Sequence, residues 1–238
     1  NNFTAMYTKQ LDLIPYALGA YAFPAGRNYF GVAFITSGDD ALRESTLIGS
    51  YAKPFRLPIF GVAALGINFR YRNSTFGNNA DGGENRSQGS ANGFGLDIGF
   101  LKTIGKGTRF GLFLRDAANS MTYNNTTRGV TYSESIPAAL VTGIAQRIHK
   151  KAILAVDLEK ALYDDVADKI HVGSELSLLR FLVLRGGMYQ NIDAEVNRNY
   201  SMGLGIRIMK KSFGAQFDFA YLVNDLANSP RISFSLLY

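Results

Sequence analysis

The sequence predicts an all-β fold, a transmembrane antiparallel up-and-down β-barrel of about 14 strands. Three observations support it. Segments of about ten residues that alternate apolar and polar side chains recur along the whole chain. The connections between the last ten segments alternate strictly between short and long. The longest apolar run, 57–67, has about 11 residues, whereas a membrane-spanning helix needs about 20.

The composition fits a single domain that fills residues 1–238. Hydrophobic residues make up 47% of the chain, which does not by itself indicate a membrane protein, because half of each barrel strand is polar. The absence of cysteine excludes disulfides and thiolate chemistry. The net charge is +6, but Lys and Arg are spread along the chain rather than gathered into a basic stripe, so nucleic-acid binding is not predicted.

The end of the chain shows the alternation most clearly. Phe217 and Phe219 alternate with Gln216 and Asp218, and the last segment ends on Tyr238, an aromatic residue on the apolar face. Outer-membrane barrels usually finish in this way. In a barrel of this kind the apolar face contacts lipid, and the small and polar side chains line the interior.

The predicted strands follow one another from end to end, and short helices are predicted only at 39–43 and 159–165. The fourteen predicted strands are 3–10, 14–23, 29–36, 45–53, 60–72, 94–103, 108–116, 137–149, 152–160, 170–177, 181–189, 200–209, 213–222 and 231–238.

The connections also indicate an outer-membrane barrel, in which short periplasmic turns alternate with longer extracellular loops. With an even number of strands, both termini are then expected in the periplasm. The predicted tight turns are 104–107, 149–151, 178–180 and 209–211. The predicted long connections are 73–93, 117–136, 161–169, 190–199 and 223–230.

Charged residues keep to one face of every strongly alternating segment. A charge on the lipid face at mid-membrane would cost about 2–4 kcal/mol, so the charged face is assigned to the lumen. The alternative is a soluble antiparallel barrel of the lipocalin type, which turns its polar face outward. About fourteen strands closing on an apolar interior would leave a core too wide for side chains to fill, which favours the membrane barrel.

Several short motifs follow one another in order over roughly the last 140 residues. They are Ser135-Ile136-Pro137, Ala155-Val156-Asp157-Leu158-Glu159-Lys160, His171-Val172-Gly173-Ser174-Glu175, Leu184-Arg185-Gly186-Gly187-Met188-Tyr189, Gly203-Leu204-Gly205-Ile206-Arg207, Asp218-Phe219-Ala220-Tyr221 and Arg231-Ile232-Ser233. This succession resembles the PorV/PorQ family of bacterial outer-membrane proteins, itself similar to the FadL long-chain fatty-acid transporters. The resemblance implies a FadL-like barrel with a signal peptide and an N-terminal hatch segment. Both are expected upstream of Asn1, and the alternative for the hatch is that this member lacks it.

Charged side chains predicted to face the lumen are the main candidates for a functional site. Both signs are interleaved, as expected for a network of ion pairs and hydrogen bonds that fills the barrel. The alternative is a gated solute path, for which a more single-signed or apolar lining is expected. The predicted lumen residues are Arg70, Arg72, Asp97, Arg115, Asp157, Glu159, His171, Glu175, Arg185, Arg207, Asp218 and Arg231.

No enzymatic activity, metal or cofactor is predicted. His149 lies in a predicted turn. His171 faces the lumen with Glu175, but alternation places Ser174 on the opposite face. A catalytic triad needs its members within hydrogen-bonding reach of one another, so these residues do not predict a hydrolase.

The resemblance implies a non-enzymatic accessory or docking subunit of an envelope assembly in the bacterial outer membrane, with the type IX secretion machinery or its cargo as partner. The alternatives are a FadL-like channel for hydrophobic small molecules and a purely structural barrel. Outer-membrane lipid and lipopolysaccharide are expected to surround the protein. Lys150, Lys151, Lys210 and Lys211 are expected to contact headgroups or a periplasmic partner, or to be solvated turns. An apolar pocket inside the barrel would favour transport.

Overall fold

The computed structural model describes residues 1–57, 61–79, 83, 86–163, 166–192, 198–210, 212–224 and 227–238. These residues form strands of one antiparallel sheet and no helix. Accordingly, the described part of the chain offers no helix long and apolar enough to cross a bilayer.

The strands are long, as a barrel wall requires. They are β1 (Asn2–Gln10), β2 (Ile14–Ala25), β3 (Asn28–Gly38), β4 (Leu42–Leu57), β5 (Gly61–Phe76), β6 (Gly89–Ile104), β7 (Thr108–Asn125), β8 (Val130–Glu134), β9 (Ala139–His149), β10 (Ala152–Ala161), β11 (Lys169–Ser177), β12 (Leu182–Asn191), β13 (Arg198–Lys210), β14 (Phe213–Val223) and β15 (Ser229–Leu237).

The sheet closes on itself. Each strand pairs with its neighbours in sequence, except that β9 pairs with β7 rather than with β8, and β1 pairs with β15. Fourteen strands, β1–β7 and β9–β15, form the barrel, and β8 pairs with one end of β7 as a hairpin outside the ring. The predicted fold class is confirmed. Both termini and the four predicted tight turns lie at one end, called here the turn end, and the longer connections lie at the opposite loop end together with the short connections 11–13 and 39–41.

Each predicted strand corresponds to one barrel strand, but β8 was not predicted, and β5, β6 and β7 extend well into the predicted loops. The predicted helix at 39–43 is wrong. The Asp39 carboxylate accepts the backbone N–H groups of Ala41 and Leu42, which makes a turn, and β4 begins at Leu42. The predicted helix at 159–165 is also wrong up to Tyr163, because β10 runs to Ala161, and residues 164–165 lie outside the described ranges.

The apolar face of the barrel wall points outward. On β14, Phe217 and Phe219 are 53% and 49% exposed, whereas the Asp218 side chain between them is 18% exposed inside the barrel. The interior is not an apolar core, since Thr8 and Asp97 are among the largest fully buried side chains of the described residues. The alternative of a soluble barrel with a polar exterior is therefore wrong.

One strand, β7, changes partner along its length. Residues 108–115 pair with β9, and residues 121–125 pair with β8. Between them Asp116 has a positive φ of 54°, and the register with β6 shifts, which marks a bulge. The Asn119 side chain bridges the interrupted pairing: its Nδ2 donates to the carbonyl of Ile136 at 2.9 Å, and its Oδ1 accepts the N–H of the same residue at 2.6 Å.

Candidate functional site in the barrel lumen

The best-defined group of lumen charges surrounds Asp97 on β6. Its Oδ2 accepts hydrogen bonds from Arg70 Nε at 2.7 Å and Asn68 Nδ2 at 3.0 Å. Its Oδ1 accepts the backbone N–H of Asp116 at 2.9 Å, and its side chain is fully buried. At the same bulge Arg72 Nη2 donates to Asp116 Oδ1 at 2.6 Å. Four charged groups thus hold three neighbouring strands together across the lumen face.

Gly95 leaves the space in which the second of these ion pairs forms. A Cβ at this position would lie 2.6 Å from Arg72 Nη1 and 2.7 Å from Asp116 Oδ1. Both distances are shorter than a Cβ contact allows, so a side chain here would displace the pair. The Arg72–Asp116 ion pair approaches the backbone of β6 so closely that residue 95 must be glycine.

A second group lies on β7, β10, β11 and β12. Arg115 Nη2 donates to Glu159 Oε1 at 2.6 Å, and His171 Nε2 lies 3.8 Å from Glu159 Oε2. The imidazole stacks on the ring of Tyr189, with a centroid distance of 5.4 Å. Glu159 therefore balances the charge of Arg115, and His171 is held at the edge of the pair.

A third group fills the lumen side of β11–β14. Arg185 Nε donates to Glu175 Oε2 at 2.8 Å, and its Nη1 donates to Asp218. Gln216 links this pair onward, because its Nε2 donates to Asp218 Oδ2 at 2.7 Å and its Oε1 accepts from Arg207 Nε at 2.7 Å. The network continues across four strands without an unpaired carboxylate.

In the register of the sheet, the twelve charged residues assigned to the lumen lie on the face opposite the exposed apolar side chains, and ten of them take part in these three groups. The other two side chains, Asp157 and Arg231, have no hydrogen bond or ion pair within the described part of the chain. Sequence reasoning missed Asp116, because strict alternation places it outward and only the bulge turns it inward. It also missed the uncharged members, Asn68 and Gln216, although both follow the alternation.

An apolar cavity occupies the turn-end half of the lumen, with a volume of about 520 Å³. Its lumen-facing lining is small or apolar except for two charged residues, Arg109 and Asp157. The inward lining residues are Ala52, Ala64, Gly66, Gly99, Leu101, Arg109, Gly111, Phe113, Val141, Gly143, Ala145 and Asp157. We call this space the apolar cavity.

Two further cavities, of about 400 Å³ each, adjoin the apolar cavity. One shares Asp157 with it and is lined by the polar groups of β11–β14. The other shares Ala52 and Gly66 with it and lies against β1–β4. The three cavities thus lie side by side around the inner wall.

The inner face of β1–β4 contributes a second apolar surface. Met6 and Leu18 lie opposite each other on the lumen side of β1 and β2, and Ile35 and Ile48 follow on β3 and β4. All four side chains are half-buried. The lumen therefore has an apolar wall on β1–β4 and a charged wall formed by the three groups on β5–β7 and β10–β14, while the apolar cavity lies mainly against the turn-end part of β5–β7 and β9.

The remaining sequence candidates do not assemble into a site. His171 and Ser174 lie on opposite faces of β11, and no group of three or more His, Asp or Glu side chains in the described ranges could hold a metal. Lys150, Lys151 and Lys210 are exposed at the turn end, and Lys211 lies outside the described residues. Their contact with a periplasmic partner stays a prediction.

No protein-family model and no curated protein sequence matches the chain. Its structure is similar to that of a Pseudomonas aeruginosa FadL homologue, with a TM-score of 0.66, 10% identity and coverage of 100% of this chain and 89% of the other. CymD, a monoaromatic hydrocarbon channel, has a TM-score of 0.64 and 12% identity, with coverage of 99% and 85%. The Pseudomonas putida toluene transporter TodX has a TM-score of 0.62 and 11% identity, with coverage of 99% and 87%.

At these identities the likeness concerns the fold. It supports the FadL-like part of the predicted resemblance and does not support the PorV/PorQ family itself. The chain therefore has the fold of the FadL-like outer-membrane β-barrels.

Proposed function

We propose that the protein is a FadL-like channel of the bacterial outer membrane that admits small apolar molecules. The observation that carries the proposal is the apolar cavity, about 520 Å³ in volume and lined mainly by Ala, Gly, Leu, Val and Phe. A volume of this size suits a small ligand, and apolar lining is typical of ligand pockets. The adjoining cavities and the apolar wall of β1–β4 extend the space around the lumen.

The structural neighbours favour the same hypothesis over a secretion accessory. Their names describe a monoaromatic hydrocarbon channel, a toluene transporter and a FadL homologue. The wall of the barrel fits a membrane, because large apolar side chains are exposed outward along the strands while charges lie inside. We place the turn end in the periplasm, since short turns are typical of that side. A docking role with a protein partner stays a prediction.

Uptake measured across a lipopolysaccharide-containing outer membrane tests the proposal, since hydrocarbons cross plain phospholipid bilayers unaided. Bacterial cells that express the chain should accumulate radiolabelled toluene faster than cells with an empty vector. Ala64→Trp and Ala145→Trp fill the apolar cavity and should abolish the gain. Ala17→Trp points to the lipid side of β2 and is the matched control, which should keep it.

Two results would contradict the channel. The first is an unchanged rate of toluene uptake in cells whose outer membranes contain the folded protein. The second is equal uptake by the cavity-filling variants and the wild type, since the molecule would then cross elsewhere. Co-purification of a secretion component together with unchanged uptake would favour the docking function instead.

A further inference from the structure

We propose that Asp157 is a recognition group for cationic ligands in the apolar cavity, so that the channel prefers small apolar molecules that carry one protonated amine. The inference rests on the proposed channel function and specifies its substrate class. It follows from a contrast inside the lumen between the carboxylates of the three groups, which have arginine partners, and Asp157, which has no partner among the described residues.

The partnered carboxylates occupy the three groups of the charged wall. Asp97, Asp116, Glu159, Glu175 and Asp218 each lie in an ion pair with an arginine at 2.8 Å or less. Such pairs compensate the loss of hydration that a carboxylate suffers in a narrow lumen. These carboxylates have few free acceptor positions left for a ligand, and their role is structural.

Asp157 differs from them. It lies near the middle of β10, half-buried on the lumen face, and no donor within the described part of the chain reaches its carboxylate. It lines both the apolar cavity and the polar cavity next to it. A carboxylate in this position keeps unused acceptor capacity at the boundary between an apolar space and a polar one.

The neighbouring strand makes room for this carboxylate. Gly143 on β9 lies opposite Asp157, and a Cβ at residue 143 would overlap the carboxylate Oδ1. Gly111 is the next lumen-facing residue across the sheet. Gly143 thus accommodates the carboxylate itself, and Gly111 beyond it leaves lumen surface without a side chain, where an apolar ligand body can lie.

Within the described residues, no cationic side chain is paired with Asp157. On β10 and its partners β9 and β11, the lumen-facing titratable side chains nearest Asp157 are Glu159, His171 and Lys169, the last of which is in register with Glu159. Glu159 is paired with Arg115 of β7 at 2.6 Å, and no hydrogen bond or ion pair joins Lys169 to Asp157 within the described residues. Arg109, the other charged residue of the apolar cavity, is exposed near the start of β7 at the turn end, where water hydrates it. A protonated amine would give Asp157 the cationic partner that the carboxylates of the three groups already have.

Titration calorimetry on the purified, detergent-solubilised barrel measures the preference. The probes are 2-phenylethylammonium, its anionic counterpart phenylacetate, and methylammonium, which has the charge without the apolar body. Wild-type protein should bind 2-phenylethylammonium most tightly. Asp157→Asn keeps the shape of the side chain and should weaken this binding by about tenfold, the usual effect of removing one charged hydrogen-bond partner. Asp40→Asn, an exposed carboxylate near the loop end, is the charge-matched control and should bind as the wild type does.

Toluene uptake in cells separates this inference from the channel function. If toluene enters but the wild type binds 2-phenylethylammonium no better than phenylacetate or methylammonium, the inference is overturned and the channel stands. If Asp157→Asn binds the amine as tightly as the wild type, the inference is also overturned. If neither toluene enters nor the amine binds, both proposals fail. Loss of amine binding in Asp157→Asn with unchanged toluene uptake supports both.

Discussion

Replacing Asp97 by asparagine should destabilise the barrel more than any exposed charge removal. The carboxylate accepts three hydrogen bonds, from Arg70, Asn68 and the backbone of Asp116, and is fully buried. An asparagine has one oxygen and one NH₂ group, so each orientation of the amide turns a donor toward at least one existing donor. It also leaves the guanidinium of Arg70 without its counter-charge.

The size of the effect follows from the same contacts. Removing one partner of a buried ion pair costs about 3–5 kcal/mol. The Arg70 side chain keeps 18% of its surface exposed in the lumen, so hydration of the unpaired guanidinium offsets part of this loss. We therefore expect a destabilisation of about 3 kcal/mol. Asp40→Asn removes one partner of an exposed pair with Arg43, whose side chains are 76% and 57% exposed, and should cost about 0–1 kcal/mol.

The free energy of unfolding should be measured by urea titration of the protein folded into lipid vesicles. Far-UV circular dichroism is the suitable signal, because the chain contains no tryptophan. Arg70→Met alone should also be strongly destabilising, since it leaves the buried carboxylate uncompensated. The double variant Asp97→Asn, Arg70→Met should lose less than the sum of the single losses, because neither charge is then left alone. Equal midpoints for Asp97→Asn and Asp40→Asn would refute the reasoning.

Three further changes test the wall, the bulge and the hairpin. Phe219→Lys places a charge on the lipid face and should cost about 2–4 kcal/mol in vesicles, whereas Val130→Lys, equally exposed but on the β7–β8 hairpin, should cost almost nothing. Gly95→Ala should cost about 1–3 kcal/mol because its Cβ meets the ion pair at the bulge, while Gly19→Ala, with nothing within 4 Å, should be neutral. Burial and nearby carboxylates raise the pKa of the Tyr123 phenol above 10.0, so ultraviolet titration should show its absorbance change, identified by its loss in Tyr123→Phe, above that pH. An absorbance change of the Tyr123 phenol at or below pH 10 would contradict the prediction for this residue.

Much of the barrel could be predicted from the sequence, because the alternation of apolar and polar residues indicates both where a strand lies and which of its side chains face the lipid. The face assignments of Phe217, Phe219 and Asp218 required only this rule. The rule fails where the backbone departs from it. Asp116 adopts a left-handed conformation that reverses its face, and nothing in a single sequence distinguishes it from an outward aspartate.

The functional division of the lumen was harder to predict. The charges were recognised, but which of them pair depends on neighbours across strands that lie 10 to 44 residues apart. The isolation of Asp157 therefore became visible only when the register of β9–β11 was known. The apolar inner wall of β1–β4 was missed as well, because isolated apolar residues on a lumen face look the same as outward ones until the strand boundaries are fixed.

The seam between the first and last strands has a consequence for how the protein must be made. Thr4 and Ser235 face each other across it at 3.0 Å, although 231 positions separate them in the chain. Until the final strand has been synthesised and delivered, β1 and β14 present rows of unsatisfied amide and carbonyl groups, which hydrocarbon does not tolerate. Assembly in a bilayer should therefore be all-or-none, and a chain that lacks β15 and Tyr238 should aggregate rather than form a smaller cylinder.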